Sequence, residues 1–148
     1  MLVKNFSIDS SEEQMLAELA ETLLPATGTP GAKDIYAHLF ALKMIDDCST
    51  KEEQEKFVKG MKSFEKASAK KLSASFLEAS PDQRLSYIKE LNQREEKDDL
   101  QYFFRSMKRL TVQAYTSSRY FLTNVKVYEL VPGRWHGCFP VKAAGSLS

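Results

Sequence analysis

A catalytic nucleophile needs a base to activate it, and this chain of 148 residues offers two histidines, His38 and His136, and two cysteines, Cys48 and Cys138. Neither histidine lies in a recognisable serine-, cysteine- or metal-hydrolase motif. His38 reads as a helix-surface or boundary histidine rather than a metal ligand. The paired acids Asp46-Asp47 and Asp98-Asp99 are neighbours in sequence and point differently on a helix. That geometry suits the solvation of helix ends better than a cooperating acid and base. The distance between the cysteines excludes a cysteine-only zinc or iron–sulfur site of ordinary spacing. They are either buried thiols, as in a reducing compartment, or the two halves of one long-range disulfide, as in an oxidising one.

Phosphate and dinucleotide chemistry leave equally little trace. The segment Pro25-Ala26-Thr27-Gly28-Thr29-Pro30-Gly31 holds two prolines and two glycines in seven residues, too many breakers for helix or strand. Its glycines have the makings of an anion-binding nest, but the P-loop spacing followed by Lys-Ser or Lys-Thr is absent. So is Gly-x-Gly-x-x-Gly, which removes flavin or nicotinamide binding through the fold that uses it. Lys66, Lys70 and Lys71 are offset by Glu52, Glu53, Glu55 and Glu65 and read as a solvated charged face. The expectation is a chain with no catalytic, cofactor-binding or metal-binding residue of its own.

The elements that would position these groups are helical. Leu16, Leu19, Ala20, Leu23 and Leu24 share one face of a helix over 10–24, with Ser10 and Glu13 as its capping box. Over 32–47, Ile35, Leu39 and Leu42 form one row with Tyr36, Phe40 and Met44 beside it, a wide stripe that predicts a central helix. Thr50 with Glu53 starts a third, in which Phe57, Met61 and Phe64 continue through Lys66 and beyond. Ser80-Pro81-Asp82-Gln83 is a complete start signal for a fourth, with Leu85, Ile88 and Leu91 as its buried row. The polar run 92–99 separates it from a fifth over 100–118, marked by Phe103, Phe104, Met107, Leu110, Ala114 and Tyr115. The fold class expected is all-α: about five helices in one compact bundle-like domain, with a helical core over 10–118. The remainder, 120–148, reads as an extended tail. It is apolar and aromatic for a tail, so Tyr128, Trp135 and Phe139 must pack back on the helices or against another protein. Trp135 fits either role.

Composition sets the outer limits. Hydrophobic residues make up 43% and charged residues 28%, the balance of an ordinary globular protein. At this length a single core hides roughly two thirds of the surface that the unfolded chain exposes, so 1–148 is expected to be one domain. Lysine and arginine total 21 against 20 acids, which supplies no long-range field to draw in nucleic acid. No apolar stretch approaches the ~20 residues needed to span a bilayer, so membrane insertion is not expected. Residues 1–8 carry neither an apolar signal core nor a twin arginine, so no export leader is expected in the chain as given.

Four stretches together resemble the gluconate 2-dehydrogenase subunit 3 family. They are Leu24-Pro25-Ala26-Thr27 through Thr29-Pro30-Gly31-Ala32 with Asp47-Cys48; Phe57 and Gly60; Phe103-Phe104, Leu110-Thr111 and Tyr115-Thr116-Ser117; and Val131-Pro132-Gly133, Gly137-Cys138 and Pro140. Their order and spacing carry the resemblance. Ala114 departs from it, standing where the family commonly has glycine.

The resemblance implies a non-catalytic small subunit that assists folding and export of a flavoprotein dehydrogenase large subunit. FAD would then sit in the partner, with a cytochrome c subunit reached through the complex. A periplasmic location follows, either by loss of a leader or by travel with an exported partner. Such a location would favour a disulfide between Cys48 and Cys138. The competing reading is a free-standing helical enzyme or ligand carrier with a pocket among Tyr36, Phe104 and Tyr115. The disulfide is open to direct test. Peptide mapping without reductant should recover both cysteines in one linked fragment, closing a loop of about 90 residues worth roughly 4 kcal/mol in the chain-entropy model. Two freely alkylated thiols in protein from an oxidising compartment would refute it.

Overall fold

A computed structural model of the chain describes residues 3–126. Tyr128, Trp135, His136, Cys138 and Phe139 lie outside the described residues. Within them the order is α1 (Ser10–Leu23), α2 (Ala37–Cys48), α3 (Lys51–Leu72), α4 (Pro81–Gln93), α5 (Asp99–Thr116) and a π-helical turn over Phe121–Val125. The expected all-α class holds.

Helix starts follow local capping chemistry, because the first backbone N–H groups of a helix have no partner inside it. Thr50 caps α3 with Glu53, and Ser80 caps α4 with Gln83 and proline in the first turn, both as the sequence predicts. In α1 the box lies one residue earlier than expected. Asp9 accepts the Glu12 N–H at 2.7 Å and the Glu12 carboxylate accepts the Asp9 N–H at 3.0 Å. A carboxylate is the stronger acceptor at the positive end of a helix, so it displaces the serine hydroxyl. Asp98 caps α5 through the Gln101 N–H.

The second helix departs most from expectation, starting at Ala37 rather than Ala32. Residues 32–36 form a separate turn, closed by the Ala37 N–H on the Ala32 carbonyl at 2.9 Å. Tyr36 adopts a left-handed conformation with φ 53° and ψ 41°, which a bulky L residue enters at a cost of about 1–3 kcal/mol. The cause is visible in the packing: Ala32 and Ala37 meet Ala20 and Ala114 in a tight cluster of small buried residues. Breaking the helix here lets both alanines face inward. Tyr36, expected in the apolar stripe, is turned out to 64% exposure.

The core lies where α3 runs along α5. Phe57, Met61 and Phe64 on α3 meet Phe103, Phe104, Met107 and Leu110 on α5, all essentially inaccessible. Ring centroids are 5.0 Å apart for Phe57–Phe103, 5.5 Å for Phe64–Phe103 and 5.1 Å for Phe64–Phe76, all tilted or edge-on, the arrangements that aromatic quadrupoles favour. Leu16 and Leu19 of α1 and Leu42 and Ile45 of α2 complete the same cluster. On α4 the buried row is Tyr87, Ile88 and Leu91, and Leu85 is 40% exposed instead of buried. The helix is turned so that Arg84 falls on the inner side, where it closes the α3–α4 loop.

Beyond α5 the chain stays helical for longer than expected. The Lys126 N–H reaches the Phe121 carbonyl at 2.8 Å, the five-residue spacing of a π-helix. The Phe121 ring meets Tyr115 edge-on at 5.6 Å. The extended segment read from residue 120 therefore does not begin there.

Gly60 marks the closest approach of the two central helices. A Cβ built on it would meet the Asp99 carbonyl oxygen and come within 2.6 Å of the Phe103 Cβ. Gly60→Ala should therefore destabilise the domain by about 1–3 kcal/mol through overpacking, against the roughly 1 kcal/mol gain that alanine brings to an open helix position. Thermal and denaturant unfolding measure the balance, and a stabilised variant would show that the helices separate freely.

Candidate functional site

The loop over residues 25–31 comes first, because its glycines invite an anion. Two of its N–H groups, those of Ala26 and Gly31, are occupied from within, as is that of Lys33 just beyond it. Glu21 on α1 accepts the Ala26 N–H at 3.2 Å and the Lys33 N–H at 2.9 Å, while Asp34 accepts the Gly31 N–H at 2.9 Å. A Cβ at position 31 would stand 2.6 Å from the Glu21 Oε1. The glycine therefore makes room for an internal carboxylate where a phosphate nest would have left space. Gly28, with φ 77°, makes the sharp turn that brings the loop back.

The acids read as helix-end solvation divide between different jobs. Asp47 is exposed and pairs with Lys43 at 2.9 Å. Asp46 is 2% exposed and accepts the backbone N–H groups of Lys4 at 3.0 Å and Asn5 at 2.8 Å. The Asn5 amide donates in turn to the Asp46 carbonyl. Burial alone would raise the Asp46 carboxyl, but the N–H groups of Asn5 and Lys4 bring it below the ordinary range. Asp46 thus clamps the N-terminal segment across the end of α2, a role its place in the sequence did not signal. Gln54 on α3 completes the clamp by donating to the Ile45 and Asp46 carbonyls. Asp98 is a helix cap that also pairs with Arg94 at 3.0 Å.

A half-buried charge network was also not foreseen. Glu18 on α1 pairs with Lys33 at 2.5 Å and with Arg84 at 2.6 Å. Arg84 also donates to the Phe76 carbonyl at 2.8 Å and the Leu77 carbonyl at 2.5 Å, and its guanidinium lies 5.5 Å from the Phe76 ring centroid. Burial pushes the Glu18 carboxyl upward, and Lys33 and Arg84 together more than reverse it. The only sequence signal for this was an acid facing the core side of α1.

His38 sits at the boundary, 9% exposed, with no hydrogen-bond partner on Nδ1 among the described residues. Burial holds its pKa below the usual histidine value against the pull of Glu13. Tyr87 is likewise buried with an unpartnered hydroxyl, and burial pushes its pKa up to about 12. Among the described residues no group of three or more His, Cys, Asp or Glu side chains is placed to hold a metal ion. The aromatic pocket of the competing reading does not form as drawn: Phe104 is a packed core residue, whereas Tyr36 projects into solvent. Cys48 is exposed at the end of α2, and Cys138 lies outside the described residues.

Two surface features remain. Lys66 and Lys70 are solvated, and Lys71 pairs with Glu90 of α4 at 3.1 Å. On α5 the face opposite the core carries Arg105, Lys108, Arg109 and Val112 at helical spacing, bordering a groove of about 400 Å³ beside the end of α4. No helix among the described residues is long and apolar enough to cross a membrane.

The described residues thus define an all-α domain whose inward-facing acids are engaged in capping, clamping and ion pairing. The family model described as gluconate 2-dehydrogenase subunit 3 matches residues 10–133, and the chain belongs to this family. Searches of curated proteins and of solved structures find no match. The match takes in Gly60, the loop over residues 25–31 and the Tyr115-Thr116-Ser117 stretch; Gly137-Cys138 and Pro140 fall beyond it.

The Asp46 clamp has a pH signature. A carboxyl whose folded pKa lies below its unfolded value of about 3.9 stabilises at higher pH, and the contribution is lost as pH falls through the folded pKa. Protection of the Lys4 and Asn5 amides against hydrogen exchange should therefore fail as the pH drops below about 4. Asp46→Ala should raise their exchange about tenfold or more at neutral pH with little change in the α3 and α5 amides. Unchanged protection in the variant would remove the clamp.

Proposed function

We propose that this chain is a non-catalytic small subunit of a flavin-dependent sugar or sugar-acid dehydrogenase complex, assisting the folding, stability and export of the catalytic subunit. The observation that carries this reading is the family match over residues 10–133. In the proposal FAD belongs to the large flavoprotein subunit, and a cytochrome c subunit is reached through the complex. The complex works in the periplasm.

The engagement of the described acids supports the division of labour. General acid–base catalysis needs a carboxylate or imidazole free to exchange a proton at a substrate. Here Glu18, Glu21, Asp34, Asp46 and Asp98 each hold a backbone N–H or a cation of their own chain. Their geometry serves rigidity, which suits a scaffold that presents fixed surfaces to a partner. Tyr128, Trp135 and Phe139 are proposed to contact the flavoprotein, since aromatic residues supply large contact area with a polar handle.

The reading is tested by isolating the chain from its native source. A flavin-containing oxidoreductase should co-purify with it in a defined ratio. The chain purified alone should show no flavin absorbance, no stoichiometric metal and no dye-linked dehydrogenase activity with sugars. Bound flavin in the isolated chain would overturn the proposal. For the tail, Trp135→Ala should lower affinity for the flavoprotein by about 2 kcal/mol or more with little change in the melting of the isolated chain. Destabilisation of the isolated chain by about 3–5 kcal/mol would place Trp135 in its own core, and an unaltered complex would remove it from the interface.

A further inference from the structure

The outer face of α5 has a composition that the domain itself does not use. Arg105, Lys108 and Val112 recur at intervals of three and four residues, so they project from one side of the helix, with Arg109 beside them; Gln101, one turn earlier, is buried and donates to the Leu91 and Arg94 carbonyls. That side is turned away from Phe103, Met107 and Leu110, which fill the core. Val112 is 54% exposed, an apolar side chain set among cations where a helix needing only solubility would carry another polar residue.

Between α5 and the end of α4 this face opens into the groove of about 400 Å³ lined by Asn92, Phe104, Arg105, Lys108, Arg109 and Val112 together with Gln101. Its exposed apolar side chain is Val112, with the packed edge of Phe104 lying beneath at 1% exposure. Its rim is cationic, and no lining residue is an acid. Lys108 donates to the neutral Asn92 amide; among the described residues no carboxylate lies within salt-bridge distance of Arg105, Lys108 or Arg109. Elsewhere the cations that border packed elements do find acids: Arg84 pairs with Glu18, Arg94 with Asp98 and Lys71 with Glu90. On the α3 side of the helix Arg105 and Arg109 also border a depression lined by Glu53, Glu96, Asp98 and Asp99. The Thr50 hydrogen bonds chiefly lower the Glu53 carboxyl, with a smaller contribution from Arg109, and none of these acids lines the groove.

We propose that this groove docks an acidic protein segment, an amphipathic stretch of the partner subunit that sets an apolar side chain on Val112 and carboxylates against Arg105, Lys108 and Arg109. Charge complementarity selects the partner: three cations with no described carboxylate within salt-bridge distance, set around the exposed Val112, disfavour a basic surface and steer an acidic one. The arginines add geometric selection, since a guanidinium takes a carboxylate through two parallel N–H donors. The assignment of this surface to the partner rests on the accessory-subunit reading above.

The experiment uses the full chain and the flavoprotein recovered with it, dissociated and re-associated at about 50 mM and about 500 mM salt, where the screening length changes about threefold. The variant Arg105→Glu, Lys108→Glu, Arg109→Glu should lose affinity by tenfold or more at low salt, the loss shrinking at high salt. The pair Lys62→Glu, Lys66→Glu on the exposed face of α3 should leave affinity unchanged. Should the glutamate variant fail to melt cooperatively, the isosteric set Arg105→Gln, Lys108→Gln, Arg109→Gln takes its place, with a smaller loss of the same salt dependence. A synthetic helical peptide of alternating Glu and Leu faces gives an independent arm: it should bind the isolated wild-type chain and perturb the amides of Arg105, Lys108, Arg109 and Val112. Wild-type binding indifferent to reversal, or a peptide footprint elsewhere, overturns the docking proposal and leaves the accessory-subunit reading standing. A chain that binds no flavoprotein overturns both, and self-association abolished by the same reversal replaces the acidic partner with a second copy of this chain.

Discussion

The architecture depends on how closely α3 can lie against α5. At Gly60 the backbone of one helix reaches the Asp99 carbonyl and the Phe103 Cβ of the other, with no space for a methyl group. That proximity brings Phe57 and Phe64 onto either side of Phe103 at ring distances of 5.0 and 5.5 Å. Phe76 and Tyr87 then close on Phe64 at 5.1 and 5.6 Å. Core packing at organic-crystal density transmits displacement rather than absorbing it. A wider α3–α5 spacing would therefore be felt in the α3–α4 loop and in the row of α4 that covers it.

Around this centre, ionic and polar contacts do what apolar contacts cannot, fixing segments with no regular structure. Arg84 ties α4 to α1 through Glu18 and to the α3–α4 loop through two carbonyls. Glu21 and Asp34 draw in the loop over residues 25–31, and Asp46 holds the N-terminal segment on the end of α2. Each places a charged group against backbone dipoles that would otherwise face a partly dry environment unsatisfied. Most sit where two elements meet, so the outline of the domain is set by charge as much as by hydrophobic burial.

What this leaves on the outside, among the described residues, is a helical body with the cationic groove on α5. Its inward-facing acids are engaged within the chain, and its surface keeps a groove lined by cations. That organisation accords with membership in a family named for a dehydrogenase subunit.

Helix identity was written locally. The boxes at Thr50–Glu53 and Ser80–Gln83 and the apolar rows at helical spacing fix where α3, α4 and α5 form, because capping and amphipathicity are short-range properties. The resemblance likewise rested on residues readable in order along the chain. Register and partnership were not local. The start of α2 depended on Ala32 and Ala37 meeting Ala20 and Ala114, contacts that outweigh the helical periodicity of 32–36 and turn Tyr36 outward. Leu85 lost its place in the core to Tyr87 because Arg84 had to reach Glu18. Asp46 looked like a solvated helix end until Lys4 and Asn5, some forty positions away, were brought over it. The sequence by itself determined that the helices form, the caps of α3 and α4, and the family. Tertiary structure decided which charges meet and which face stays open, since the energy of a buried charge depends on partners that sequence distance does not reveal.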